Sequence, residues 1–348
     1  MNTAYSLSRK QGWRRFVDTR ARTRPEAMTP KALAALGCDA IADYNDTRCD
    51  WHANFGTIAT PQLITVRDEL DVIVASNRQD PDRVRGAAVI DGYPGLGKTT
   101  IVNLFGRDFH RAALRRRGEL TDEGHEHIPV FRVGLTSNTT LRTLNKMICQ
   151  FYGHPAAERA SAAQLASYAT DCVLSCDTRV GIIDDIHFIR HDSRDGLAVS
   201  NHLKWLANEL PVTFIYAGVG LGERRFFEEG LTGAQAALAQ SGRRWTRLTV
   251  EPFDHDEHWH ALIKAVDRQV VLTRRRPGQL SRHMDYLFAR TGGHIGSLMT
   301  LINRGCFKAI RTGTESLTRE LLDTVRIDET AEKAARTIRT DTPKVVTR

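Results

Sequence analysis

From residue 62 the apolar positions Leu63, Val66, Leu70, Ile73 and Val74 recur at steps of three and four, the spacing of one buried helix face. The pattern then shortens. The run Gly86-Ala-Ala-Val-Ile-Asp91 has the length and unbroken apolar character of a buried strand, and a glycine-rich stretch leads from it into the apolar helix start Thr99-Thr-Ile-Val-Asn-Leu-Phe105. Residues 128–135 predict a second strand, 139–152 and 161–176 two helices, and 179–184 a third strand ending on carboxylates. A helix over 195–210 and strands over 212–217 and 245–250 follow. Beyond Pro252 the periodicity is helical throughout, over about 255–274, 279–291, 294–312 and 318–326. Asp254 and Glu257 have capping-box spacing and predict where the first of these helices begins.

Strands alternating with helices imply an α/β fold with a parallel, doubly wound sheet, and the later helical run implies a small C-terminal α-helical domain. The expected organisation is a basic N-terminal extension (1–60), an α/β nucleotide-binding domain (61–252), a helical lid domain (253–327) and a C-terminal tail (328–348).

Of the 348 residues, 41% are apolar and 26% charged, enough core material to exclude a disordered chain. No apolar run approaches the roughly 20 residues of a membrane helix, and the start of the chain lacks a signal-peptide core, so a cytoplasmic protein with no membrane partner is expected. The six cysteines form no Cys-x-x-Cys pair and read as reduced, buried thiols rather than metal ligands. Net charge is +8, and residues 1–31 carry eight basic side chains against two acidic ones, with Trp13 and Phe16 among them. Such an arm suits nucleic acid, and it suits a solvated or partner-docking tail equally well.

The chemistry sits in two places. Gly92-Tyr93-Pro94-Gly95-Leu96-Gly97-Lys98-Thr99, followed by Thr100, fits G-x-x-x-x-G-K-[ST] between a strand and a helix. Its glycines let backbone N–H groups face phosphates at a helix N-terminus, Lys98 reaches the β- and γ-phosphates of ATP, and the Thr99 hydroxyl ligates Mg²⁺. Eighty-six residues after Lys98, the apolar strand Val180-Gly-Ile-Ile delivers Asp184 and Asp185 to a sheet edge. Asp184 then serves the Mg²⁺ site, and Asp185 is the candidate general base for the attacking water. His187 is a candidate neighbour of that site, and packing explains it equally well. The run Asp254-His255-Asp256-Glu257-His258-Trp259-His260 reads as a polar helix start, since His-x-x-His-x-His does not put three ligands on one helical face.

Taken in order, Thr60-Pro-Gln-Leu63, the phosphate loop, Ile128-Pro-Val-Phe131, Ile183-Asp-Asp-Ile-His187 and Thr291-Gly-Gly-His-Ile-Gly-Ser-Leu298 resemble an AAA+ ATPase, specifically the TniB/TnsC family of transposition ATPases, over about residues 44–325. The Gly-Gly-x-Ile-Gly run heading an apolar helix points to this family within the AAA+ class. The resemblance implies ATP-dependent assembly as a homo-oligomeric ring or filament on duplex DNA, linking a target-selection protein to a DDE transposase, with hydrolysis driving disassembly. It also implies an arginine donated to the neighbouring subunit's γ-phosphate: Arg244, with Arg243 as the alternate. Pore-facing DNA contacts would fall on Thr139, Arg142 and Lys146, with the basic stretch containing Arg115, Arg116 and Arg117. In three respects the chain departs from the AAA+ pattern. Asp185 replaces the usual glutamate, the 212–217 strand ends on Ala217-Gly218 without a polar sensor, and Gly296-Ser297 stands where a sensor arginine is common. These departures imply slow turnover. A helicase-loader or initiator-like remodeller, and a nucleotide-gated interaction protein with little turnover, are the rival readings.

Overall fold

The computed structural model describes residues 5–80, 83, 85–189, 194–222 and 245–333. In chain order the first elements are α1 (Lys10–Asp18), α2 (Pro30–Ala34), α3 (Cys38–Ala53), α4 (Pro61–Ser76), β1 (Ala87–Asp91) and α5 (Lys98–Arg117). Then come β2 (Val130–Gly134), α6 (Leu141–Tyr152), α7 (Ala162–Ser175), β3 (Val180–Asp184), α8 (Arg194–Glu209), β4 (Thr213–Ala217) and β5 (Trp245–Thr249). The last helices are α9 (Glu257–Gln269), α10 (Met284–Thr291), α11 (Ile295–Thr312) and α12 (Arg319–Asp323). Two compact units result: Met1–Thr19 with Gln62–Val250, and Arg20–Pro61 with Glu251–Arg348.

The first unit is built on a five-stranded sheet in the order β2-β3-β4-β1-β5, every neighbouring pair parallel. β1, β3 and β4 are buried along their whole length, which explains why they read as continuous apolar runs rather than alternating ones. One strand, β4, stands between β1, which leads into the phosphate loop, and β3, which ends on Asp184.

The basic start of the chain is not a free arm in this unit. α1 lays Trp13, only 1% exposed, against α5, where the indole N–H donates to His110 Nδ1 at 3.1 Å. The close approach uses Gly106 of α5: a Cβ there would crowd the Trp13 ring and Ile182. Several of the charges are committed as well, Lys10 to Glu126 (2.5 Å) and Arg14 to Glu119 (2.6 Å). A buried Trp13 cannot stack on a base.

The second unit gathers α9 to α12 around Trp259, Leu262, Ile263, Leu298, Leu301 and Cys306, and α3 packs on α11 within it. Arg48 of α3 is fully buried and forks onto Glu315 at 2.7 and 2.9 Å. His52 Nε2 accepts the Val271 N–H at 3.0 Å, and Trp51 Nε1 donates to the Gln269 carbonyl at 2.7 Å. The cap of α9 is Asp256, whose carboxylate accepts from the His258 and Trp259 N–H groups, two residues beyond the predicted Asp254. α9 ends at Gln269, five residues before Arg274, and Arg275 pairs with buried Asp267 at 2.9 Å. Among the described residues no helix is long and apolar enough to cross a membrane.

Candidate nucleotide-binding site

β1 ends on Asp91, the loop 92–97 follows, and Lys98 opens α5. The turn requires left-handed backbone at Gly95 (φ 77°) and Gly97 (φ 88°), a conformation side-chain-bearing residues resist. No side chain caps the start of α5, so its first N–H groups and the positive end of the helix dipole face the loop. Lys98 is buried and folds back, its ammonium donating to the Gly92 and Tyr93 carbonyls at 2.7 and 2.6 Å. Burial pulls the Lys98 pKa below the ordinary lysine range, against the opposing pull of Asp91, Asp184 and Asp185. Leu96 is buried as the anchor of the loop, while Tyr93 and Thr100 are exposed and Pro94 lies between the two glycine-rich ends.

The structure brings the two predicted halves together. The Thr99 hydroxyl donates to Asp184 Oδ1 at 3.3 Å, across the intervening strand β4. Asp184 is 3% exposed and its Oδ1 also accepts the Asp185 N–H at 3.0 Å. Asp185, just past the end of β3, has a φ of 60° and a side chain 48% exposed. Burial raises its pKa above the usual aspartate range; the Asp184 charge adds to this, while His187, Arg132 and Lys98 oppose it. His187 is half-buried, with Nδ1 4.0 Å from Asp185 Oδ1. A hydroxyl, a buried carboxylate, an ammonium and an uncapped helix start form a donor set that fits a Mg²⁺-nucleotide.

Two residues of the site escape sequence reading. Arg132 of β2 donates through Nη2 to Asp184 Oδ2 at 2.7 Å and through Nε to Asn103 Oδ1 at 3.2 Å. The signal was available only as a charged residue interrupting an apolar strand. Register puts Gly134 beside Asp184, so Arg132, two residues back, shares that face of the sheet. The second is Asp91, 1% exposed, whose carboxylate accepts the N–H groups of Gly92 (2.8 Å), Leu221 (2.8 Å) and Gly222 (2.9 Å) and a guanidinium N–H of Arg247 (2.7 Å). Burial works to raise its pKa, but the Leu221 and Gly222 N–H groups and Arg247 hold it below the usual range. Asp91 thus ties the phosphate loop to the segment after β4 and to β5.

The remaining candidates are dispersed. Thr139 closes a turn on Thr136, Arg142 donates to the Ala160 carbonyl at 3.2 Å, and Lys146 pairs with Glu158 at 2.5 Å. Arg115, Arg116 and Arg117 lie in the last turn of α5, at the opposite edge of the sheet. Arg243 and Arg244 lie outside the described residues. In the second unit, Ser297 near the start of α11 donates to Asp328 Oδ2 at 2.6 Å.

Residues 82–225 match the family model for an AAA domain. The fold is the AAA+ P-loop fold. The chain is similar to Orc1 of Aeropyrum pernix, solved in complex with DNA, with a TM-score of 0.59 at 16% identity over 81% of this chain and 66% of that one. Cdc6p of Pyrobaculum aerophilum gives a TM-score of 0.56 at 12% identity, covering 84% of this chain and 74% of that one. A chain of the Drosophila ORC bound to DNA gives 0.51 at 13% identity, covering 90% and 72%. No curated protein matches the sequence. At these identities the likeness is one of AAA+ architecture.

Proposed function

We propose that this AAA+ protein is an ATP-dependent, slowly hydrolysing switch that assembles on duplex DNA and links target choice to a DDE transposase. The observation that carries the nucleotide chemistry is the meeting of Thr99 with Asp184 beside Lys98. Lys98 exchanges the two loop carbonyls for the β- and γ-phosphates, and the α5 N–H groups hold the remaining phosphate oxygens. Thr99 and Asp184 would hold Mg²⁺, which when bound neutralises charge developing on the phosphates. Asp185 takes the proton from water; its raised pKa suits a base, and its short side chain reaches less far than the glutamate usual at this position. In trans, Arg244 or Arg243 of a neighbouring subunit completes the charge stabilisation.

The transposition reading is supported by the resemblance over Thr291-Gly-Gly-His-Ile-Gly296, which forms the turn into α11. Duplex DNA is supported by the basic surplus of the chain, with Thr139, Arg142 and Lys146 as phosphate contacts that position without reading sequence. The likeness to Orc1 and Cdc6p favours an initiator-like remodeller as the second reading. A DDE integrase gene beside this one separates the two.

The direct test is binding of a fluorescent ATP analogue together with phosphate release. Lys98→Ala should weaken binding at least about 100-fold, whereas Asp185→Asn should keep binding and lower turnover by about 100-fold. Undiminished turnover in Asp185→Asn removes Asp185 from the mechanism, and undiminished binding in Lys98→Ala removes the phosphate loop.

A further inference from the structure

The opposite edge of the sheet holds a second concentration of arginines. α5 spans 20 residues from the phosphate loop, about 30 Å at 1.5 Å per residue, so its last turn stands where the strands begin. There the ends of α4 and α5, with Arg179 and Thr213, enclose a cavity of about 660 Å³. Its wall carries Arg67, Arg78, Arg85, Arg116, Arg117 and Arg179 against three carboxylates, Asp71, Asp108 and Asp177.

Two of those carboxylates are already shared. Asp177 serves both Arg117 and Arg179, each at 2.6 Å, and Asp108 serves Arg67 at 2.6 Å and Arg107 at 2.9 Å. Asp71 is the third; burial raises its pKa above the usual range, with Arg67 opposing.

Three arginines have no carboxylate partner among the described residues. Arg85 is only 9% exposed and is clamped by main-chain carbonyls, Nε to Asn77 at 3.3 Å and Nη2 to Gln79 at 3.2 Å, leaving Nη1 without a partner among the described residues. Asn77 is itself buried and fixed, its amide donating to the Gly86 carbonyl and the Thr213 hydroxyl. The side chains of Arg78 and Arg116 likewise have no partner among the described residues.

A guanidinium held rigid at the wall of a cavity is prepared for an anion, since its conformation need not be fixed on binding. Arginines with open donors match phosphate oxygens, and the volume lies in the range of small-molecule sites. We infer that this cavity binds an oligophosphate-bearing small molecule of nucleotide size, at a site separate from the phosphate loop. The cavity lies at the end of α5 away from Lys98 and Thr99.

The test is calorimetric titration of the full-length Lys98→Ala variant with inorganic tripolyphosphate, which removes the phosphate loop as a competitor. One equivalent should bind, and adding Arg85→Gln with Arg116→Gln should weaken it at least about tenfold. Because Arg85 is buried, an Arg78→Gln/Arg116→Gln pair provides an exposed alternative that should act in the same direction. No binding to Lys98→Ala, or binding unchanged by both pairs of substitutions, overturns the inference. Loss of duplex-DNA affinity with tripolyphosphate binding intact also overturns it, by making this edge a DNA surface. ATP-analogue binding by the Arg78→Gln/Arg116→Gln variant, run in parallel, tests the phosphate loop with the second cavity weakened, so the two readings fail separately.

Discussion

A buried carboxylate proposed to hold Mg²⁺ has to be aimed, and Arg132 aims Asp184. Its guanidinium takes Oδ2 and leaves Oδ1 toward Thr99. Arg132→Met leaves Asp184 without its counter-charge, a loss worth about 3–5 kcal/mol for a buried pair. The nucleotide-free variant should therefore melt lower, and Mg²⁺ with ATP should restore more of its melting temperature than in the unmodified protein. Arg132→Lys should behave nearly as the original. Equal Mg²⁺-ATP shifts in all three proteins would show that Arg132 plays no part in the site. Two buried histidines set an acid limit. Burial is the first cause that pulls His52 to about 4 and His110 to about 3, with nearby arginines adding. Each is neutral in the fold and binds a proton more readily once unfolded, at about pH 6.5. Stability is therefore full above pH 6.5 and declines as pH falls toward 4 and 3. Thermal melts across that window should show this decline, and His52→Gln, able to keep accepting the Val271 N–H, should flatten part of it.

At the scale of elements, local pattern and tertiary packing divide what could be read in advance. The parallel sheet, the phosphate loop and Asp184 were legible because each is local: a strand-length apolar run, a glycine spacing, a carboxylate at a strand end. α1 and α3 were not. Both look polar, and α1 reads as a charged arm because only Trp13 and Val17 carry its buried face. α3 belongs to the helical unit through Arg48 and His52, residues whose burial depends on Glu315 and the Val271 N–H far along the chain. Arg132 was equally hidden, since its partner lies 52 residues away. Trp13→Ala should cost about 3–5 kcal/mol of stability, by loss of a large buried ring. If α1 acts by packing, the salt dependence of DNA binding should be unchanged in that variant; a shallower salt slope would return it to the DNA surface.

For the whole molecule, the proposed function joins an ATP site to duplex DNA. The basic surplus alone would bind DNA whatever nucleotide is present, because counterion release requires only positive charge. A switch requires ATP to change the affinity. The decisive measurement is duplex-DNA binding by the purified protein with ATP, ADP and no nucleotide across a salt series. Tight, cooperative binding only with ATP, weakening steeply as salt rises, is expected. Equal affinity in all three nucleotide states, or none in any, would contradict a nucleotide-switched assembly on DNA.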